Sequence, residues 1–479
     1  MDHGGYLMVL KRFWVIGRDS PDEEHCAFSI NTCCWFKIFI MKNTFLSTLL
    51  IAFLSQLSFA QTFDKTKLDQ YFDALETNNK FMGSVAVSKD GKVIYSKTIG
   101  YADIENKLKA NENSKYRIGS ISKTFTTVMV LKAVEENILD INQTIDNYFP
   151  SIKNCQSITV EHLLSHRSGI HNFTDDESYL TYNTEAKTEK EMLEIIAKGG
   201  SDFEPDSKAE YSNSNFVLLS YILEKTYKKP YADILQESII QPLELKYTSL
   251  GGTINSKENE CKSYTYLGAW KIQPETDMSI PLGAGSIIST PSDLTQFSDA
   301  LFGGQILKAS SLELMKTLND GYGMGLFQVP FNDKKGYGHT GGIDGFSSVF
   351  YHFSDGNISY ALTSNGANFK NNDISIAVLS AVYNQAYSIP EFTNFQVTSQ
   401  DLDKYLGVYV SSELPIKITI TKDKTTLIAQ ATGQSAFSLE ATAKDKFKFE
   451  QAGVIIEFNP EENTMLLKQV GGKFTFTKE

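Results

Sequence analysis

Cysteine is scarce in this chain and unevenly placed: three of the five fall in the first sixty residues, leaving Cys155 and Cys261 for the rest. Two thiols make no disulfide framework and have no metal-ligand spacing, so they either close one bridge or stay as two buried thiols. Positive charge is also short. The 479 residues carry 45 Lys and Arg against 57 Asp and Glu, a net of −12, which offers no basic surface to nucleic acid or to an anionic membrane. Neither a Gly-x-Ser-x-Gly elbow, nor a Gly-x-x-x-x-Gly-Lys-Ser/Thr phosphate loop, nor a dinucleotide fingerprint appears, so no cofactor is implied and an α/β-hydrolase is disfavoured. What is present is apolar enough for a packed core: 41% hydrophobic and 12% aromatic residues, too many for a disordered chain.

Residues 1–40 read poorly as globular structure and are taken as an upstream leader. Met41-Lys42-Asn43 then opens an apolar run from Phe45 to Phe59 that ends in Ser58-Phe59-Ala60. A basic start, an apolar stretch and small residues before Gln61 make residues 41–60 a signal peptide, so the expectation is an exported protein, periplasmic or secreted, with no obligatory membrane span after cleavage. Removing residues 1–60 takes away five basic and five acidic residues and leaves the net charge at −12.

Beyond the leader, an amphipathic helix near 63–78 precedes two alternating segments, Phe81 to Ser88 and Val93 to Ile99, around Asp90-Gly91, a strong hairpin signal. The stretch from about 118 to 245 is mostly helical in pattern, with helices over 122–136, 188–198, 214–227 and 231–241. Strand patterns return at 345–353 and 357–364 around Asp355-Gly356. Strands at both ends with helices between them predict an α+β domain over 61–388, whose terminal segments share one antiparallel sheet. A linker is expected at 389–400. From 401 to 479, short alternating segments such as Ile416 to Thr421 and Val454 to Phe458 predict a small all-β domain.

Several residues can do chemistry. Ser120 and Lys123 stand three apart at the start of a helix, on one face. A serine hydroxyl is a weak nucleophile until a base takes its proton, and a desolvated lysine can serve. The free N–H groups of the helix start favour a developing oxyanion. Tyr211 and Asn213 lie two apart ahead of another helix, and a phenol whose pKa is lowered by cations can carry protons. Gly338-His339-Thr340-Gly341-Gly342 ends a strand: its glycines allow close backbone approach, Thr340 offers a hydroxyl, and the Gly342 N–H can donate to an oxyanion. His162 and His166 have the four-residue spacing of metal ligands on a helix, but no Glu follows His162 as in zinc proteases, so both are read as capping or packing residues and no metal is expected.

The order Ser-x-x-Lys, Tyr-x-Asn, His-Thr-Gly, with Tyr211 about ninety residues after Ser120, resembles the penicillin-recognising serine hydrolases, the class C β-lactamase and DD-carboxypeptidase group above all. Supporting phrases are Leu163 to Ile170, Tyr211 to Phe216 and Gly283 to Leu294. The resemblance covers roughly residues 65–385 and implies a β-lactamase/DD-peptidase-like antiparallel sheet with an inserted helical region, and a lipocalin-like barrel at the C-terminus that shapes or partly covers the cleft. It implies that Ser120 is acylated, that Lys123 and Tyr211 share the proton traffic, and that Asn213, His339, Thr340 and Gly341 bind substrate. The N–H groups of Ser120 and Gly342 would form the oxyanion hole. The implied acyl donor is a small molecule or peptide: a D-Ala-type peptide, a β-lactam or a small ester. The alternatives are an esterase or D-amino-acid amidase on the same scaffold, or a non-catalytic cell-wall-peptide or penicillin-binding protein. Class C enzymes usually carry Lys where this chain has His339, which favours peptidase or esterase chemistry, because His is largely neutral above pH ~6.5.

Overall fold

Asp90 and Gly91 take φ of +51° and +72°, the pair of positive values that a two-residue hairpin turn requires. They join β1 (Phe81–Lys89) to β2 (Lys92–Ile99). The remaining strands of the sheet come from the other end of the domain: β3 (Phe327–Phe331), β4 (Lys334–Ile343), β5 (Phe346–Phe353) and β6 (Ile358–Ala367). All pairings are antiparallel, in the order β3-β4-β5-β6-β1-β2, and β1 meets β6 in the register Val85↔Leu362. The connection from β5 to β6 is a four-residue loop whose positive φ values fall at Gly356 and Asn357, one residue later than the Asp355-Gly356 turn the sequence suggests.

The structure is a computed structural model describing residues 63–392, 395–469 and 471–479; the leader and signal peptide expected over 1–60 lie outside the described residues. Side chains on successive strand positions point to opposite faces, and the sheet uses both. Val349, Tyr360 and Leu362 pack against α1 (Lys65–Thr77) and the C-terminal helix Asn371–Val382. Phe350 and Ala361 face a larger core built from the helical middle of the chain. There α2 (Ser122–Glu135), α3 (Asn213–Tyr227) and α4 (Pro291–Phe302) meet, with Phe125 stacked on Phe297 at 3.8 Å between ring centroids. The helix predicted over 231–241 is α-helical to Leu235 and continues as a π-helical turn to Ile240.

Residues 407–478 form eight strands that close into a barrel, from β7 (Gly407–Val410) through β9 (Thr426–Ala431) and β10 (Phe437–Ala443) to β14 (Gly472–Lys478). Closure is made by Tyr409↔Lys478 and Val410↔Thr477. Alternate residues fill the interior, including Ile420, Leu427, Ile456, Phe458 and Phe476. The barrel and the sheet domain belong to one contact unit, Phe63–Glu479. Strands β9 and β10 dock on the hairpin Tyr264–Tyr266/Trp270–Ile272, where Ser438 Oγ donates to the Tyr266 carbonyl at 3.0 Å and Gly268 lies against Thr426; Lys271 pairs at 3.6 Å with Asp423, the end of the preceding strand Lys417–Asp423. Lys80 pairs with Glu440 beside them at 2.5 Å. Cys155 and Cys261 are free thiols. Among the described residues no helix is long and apolar enough to cross a membrane.

Candidate active site

Gly119 makes the site possible. Its φ is +49°, and a Cβ there would lie 2.8 Å from the Gly342 nitrogen, so only glycine lets this turn approach the end of β4 so closely. Gly341 has a matching constraint, since a Cβ on it would meet the Ile118 carbonyl at 2.0 Å. The turn Gly119–Ile121 runs straight into α2 and brings Ser120 and Gly342 to the wall of the same cleft.

Lys123 has no exposed surface. Its Nζ donates to Asn213 Oδ1 at 2.7 Å and to the Ala284 carbonyl at 2.8 Å, and lies 3.0 Å from Ser120 Oγ. Burial drives its pKa well below the usual lysine value. In its neutral form the amine would spend both N–H bonds on oxygens that can only accept, leaving its lone pair for the Ser120 proton. Tyr211 reaches Ser120 Oγ from the other side, donating its hydroxyl at 2.8 Å. The expected lowering of the Tyr211 pKa is reversed: burial pushes the phenol up, and the hydrogen bond to Ser120 opposes this only in part. The phenol stays protonated and acts as a donor, while Lys123 is the group suited to take a proton.

Asn213 is the first residue of α3, and both ends of its amide are occupied. Its Oδ1 takes the Lys123 bond, and its Nδ2 donates to Thr174 Oγ1 at 3.0 Å and Asn172 Oδ1 at 3.2 Å. It still lines the cleft.

His339, expected to contact substrate, is 3% exposed and turned into the protein. Its Nδ1 lies 2.6 Å from the Thr340 carbonyl and its ring packs on Phe327. Burial pushes its pKa down to about 3, so the imidazole is neutral. Strand alternation explains the placement: His339 points inward and Thr340 outward, where it is exposed. Neither is among the residues lining the cleft, and Gly341 serves the close packing of β4 on Ile118.

The cleft is about 710 Å³, with walls that include Ser120, Asn213, Thr276, Gly342, Asp344 and Ser435. Asp344 is its one carboxylate, and no lysine, arginine or histidine lines it among the described residues. The Asp344 side chain is itself buried against Arg117 at 2.9 Å and accepts from Thr276 Oγ1 at 2.6 Å. Ser435 comes from the loop between β9 and β10, so the barrel supplies part of the wall. Among the described residues no cluster of three His, Cys, Asp or Glu is placed to hold a metal.

Residues 68–383 match the family model described as Beta-lactamase. The chain belongs to the beta-lactamase family. Penicillin-binding protein 4* of Bacillus subtilis (strain 168) is 25% identical over 431 residues, 83% of this chain and 94% of that protein. Teichoic acid D-alanine hydrolase of Staphylococcus aureus (strain MRSA252) is 29% identical over 230 residues, 48% of this chain and 55% of that one. The solved structure of D-amino acid amidase from Ochrobactrum anthropi SV3 complexed with D-phenylalanine is 26% identical with a TM-score of 0.58, covering 66% of this chain and 98% of that one. These similarities support a serine hydrolase of the beta-lactamase family.

Sequence reasoning missed two residues of this beta-lactamase-family site. Asn172 and Thr174 hold the Asn213 amide from a loop about forty residues upstream, and no motif marks them. His166, read as a capping or packing residue, does pack: its ring stacks on Tyr211 at 4.6 Å. His162 caps its own helix, where Nδ1 accepts the Thr159 N–H at 3.3 Å.

Proposed function

We propose that this protein is an exported serine hydrolase that cleaves esters and amides of D-amino acids through an acyl-enzyme on Ser120, favouring donors with no carboxylate beside the scissile bond. One observation carries the reading: Ser120 Oγ lies within 3.0 Å of the Lys123 amine and 2.8 Å of the Tyr211 phenol, at a cleft whose lining, among the described residues, includes no lysine, arginine or histidine. In acylation the Ser120 oxygen bonds to the donor's carbonyl carbon as its proton passes to Lys123. The oxyanion forms against the N–H groups of Ser120 and Gly342. The C–O or C–N bond then breaks, and the leaving group takes a proton through Tyr211, which Lys123 replenishes. Water attacks the acyl-enzyme by the reverse proton path and releases the acid. A donor carboxylate would find no cationic partner among the described residues that line the cleft, whereas Leu180, on its wall and 71% exposed, offers apolar surface. The D-amino-acid preference is supported by the names of the amidase and D-alanine hydrolase relatives, and export by the segment at 41–60.

A fluorophosphonate is expected to label the wild type and not Ser120→Ala. On one preparation, D-alanine amide and a D-alanyl p-nitrophenyl ester should exceed an N-acyl-D-Ala-D-Ala peptide and nitrocefin in kcat/KM by about tenfold or more, the worth of one missing charge-assisted contact. Labelling that survives the substitution removes Ser120 from the chemistry, and a preference for the carboxylate-bearing donors overturns the substrate assignment.

A further inference from the structure

Both chain neighbours of Tyr211, and its ring, are tied to one residue outside the reacting groups: Glu210 to its backbone carbonyl, Ser212 and the ring to its side chain. His166 has a φ of +59° and is 2% exposed. Its carbonyl accepts the Glu210 N–H at 2.9 Å, and its Nδ1 accepts the Ser212 N–H at 3.1 Å. Between these two anchors its ring lies over the Tyr211 ring, 4.6 Å between centroids and 29° from parallel. The imidazole is confined in turn by Phe216 at 5.3 Å and the edge of Tyr322 at 5.5 Å. An Nδ1 that accepts from a backbone amide carries no proton, so the ring is the neutral Nε2–H tautomer. Burial favours the same neutral form.

We propose that His166 is a positioning residue for Tyr211: it fixes the distance and direction of the phenol toward Ser120 Oγ and acts on acyl transfer without touching the substrate. This rests on the reading of Tyr211 as the proton carrier. A catalytic oxygen displaced by about 1 Å can cost on the order of a hundredfold in rate, and among the described residues no other residue bonds both flanks of Tyr211. The backbone conformation at 166 is one that asparagine tolerates better than most residues, which makes His166→Asn a usable probe. Its side-chain oxygen can still accept from Ser212, but the stack is lost. His166→Phe does the converse, keeping a ring over Tyr211 and removing the acceptor.

The test is a double-mutant cycle of His166→Asn with Tyr211→Phe in the full chain, followed with a p-nitrophenyl ester and checked for folding by thermal melting. His166→Asn should lower kcat about 10- to 100-fold with KM within about twofold, and His166→Phe should fall between it and the wild type. In the Tyr211→Phe background the same change should cost less than about threefold, because the group it positions is gone. An equal loss in both backgrounds marks a merely structural residue and overturns the proposal, as does an unchanged kcat in folded His166→Asn. If that variant does not fold, His166→Phe carries the same cycle with the same two outcomes. Should Tyr211→Phe alone leave kcat unchanged, the reading of Tyr211 falls and this proposal with it. Full dependence on Tyr211 with additive losses at His166 overturns only the positioning role.

Discussion

Lys123 is the residue on which the proposed chemistry turns, and its setting shows what a local motif can and cannot reveal. The three-residue spacing from Ser120 is visible in the sequence because a helix brings such positions together. Its complete burial and its bond to Asn213, 90 residues away, leave no local trace. The same holds for His339: the His-Thr-Gly signal is legible, but which of its side chains turns inward depends on how β4 lies in the sheet, with His339 opposite the buried Phe350. Gly119 is a further case, ordinary in sequence and decisive in space. Gly119→Ala should cost about 1 kcal/mol or more in stability, since alanine resists positive φ. It should also lower kcat/KM by about a hundredfold, because the added methyl pushes Gly342 away from Ser120. Thermal melting with ester kinetics reads both, and a variant of wild-type activity would show that the close approach of the two turns is not needed.

Among the elements, the loop after the short helix Val160–Leu164 matters most, since it carries Asn172 and Thr174 to Asn213. His171 pins it, with Nδ1 3.0 Å from Asp202 and Nε2 3.5 Å from Asp176. Burial pulls the His171 pKa down, but the Asp202 hydrogen bond and the charges of Asp202 and Asp176 outweigh it, and the net shift is upward. A raised folded-state pKa means stabilisation that is complete below the unfolded value and is lost as pH rises through the folded one. The melting-temperature gap between wild type and His171→Gln should therefore be wider near pH ~6 than near pH ~8.5, by an amount equivalent to at most about 1 kcal/mol for such a partly exposed pair. A gap that does not change with pH would mean the imidazole is not charged in this clamp. The helices and strands themselves were largely readable from periodicity. The loop was not, because its contacts follow from tertiary packing rather than from any repeat.

At the scale of the whole molecule, the small barrel is part of the cleft. Its strands are legible as alternating segments separated by turns, yet nothing in that pattern tells which turn meets the larger domain. Docking decides it. Strands β9 and β10 seat on the Trp270 hairpin, whose ring lies against Gly366 of the main sheet, and their connecting loop delivers Ser435 to the cleft. Replacing residues 432–436 by a two-residue Asn-Gly turn should change kcat/KM for donors with bulky acyl or leaving groups about tenfold, while p-nitrophenyl acetate stays within about twofold. Equal effects on large and small donors would show that the loop supports the fold rather than the choice of substrate.

The cleft wall without a cation has a consequence that begins before any contact is made. With a net charge of −12, the molecule's field attracts an approaching ammonium and repels an approaching phosphate or carboxylate, and among the described residues that line the cleft there is no lysine, arginine or histidine to reverse that sign locally. Donors are thus sorted in transit, with amine-bearing ones drawn in faster than anionic ones. Electrolyte erases the distinction, since at ~1 M the field reaches only about 3 Å from its source.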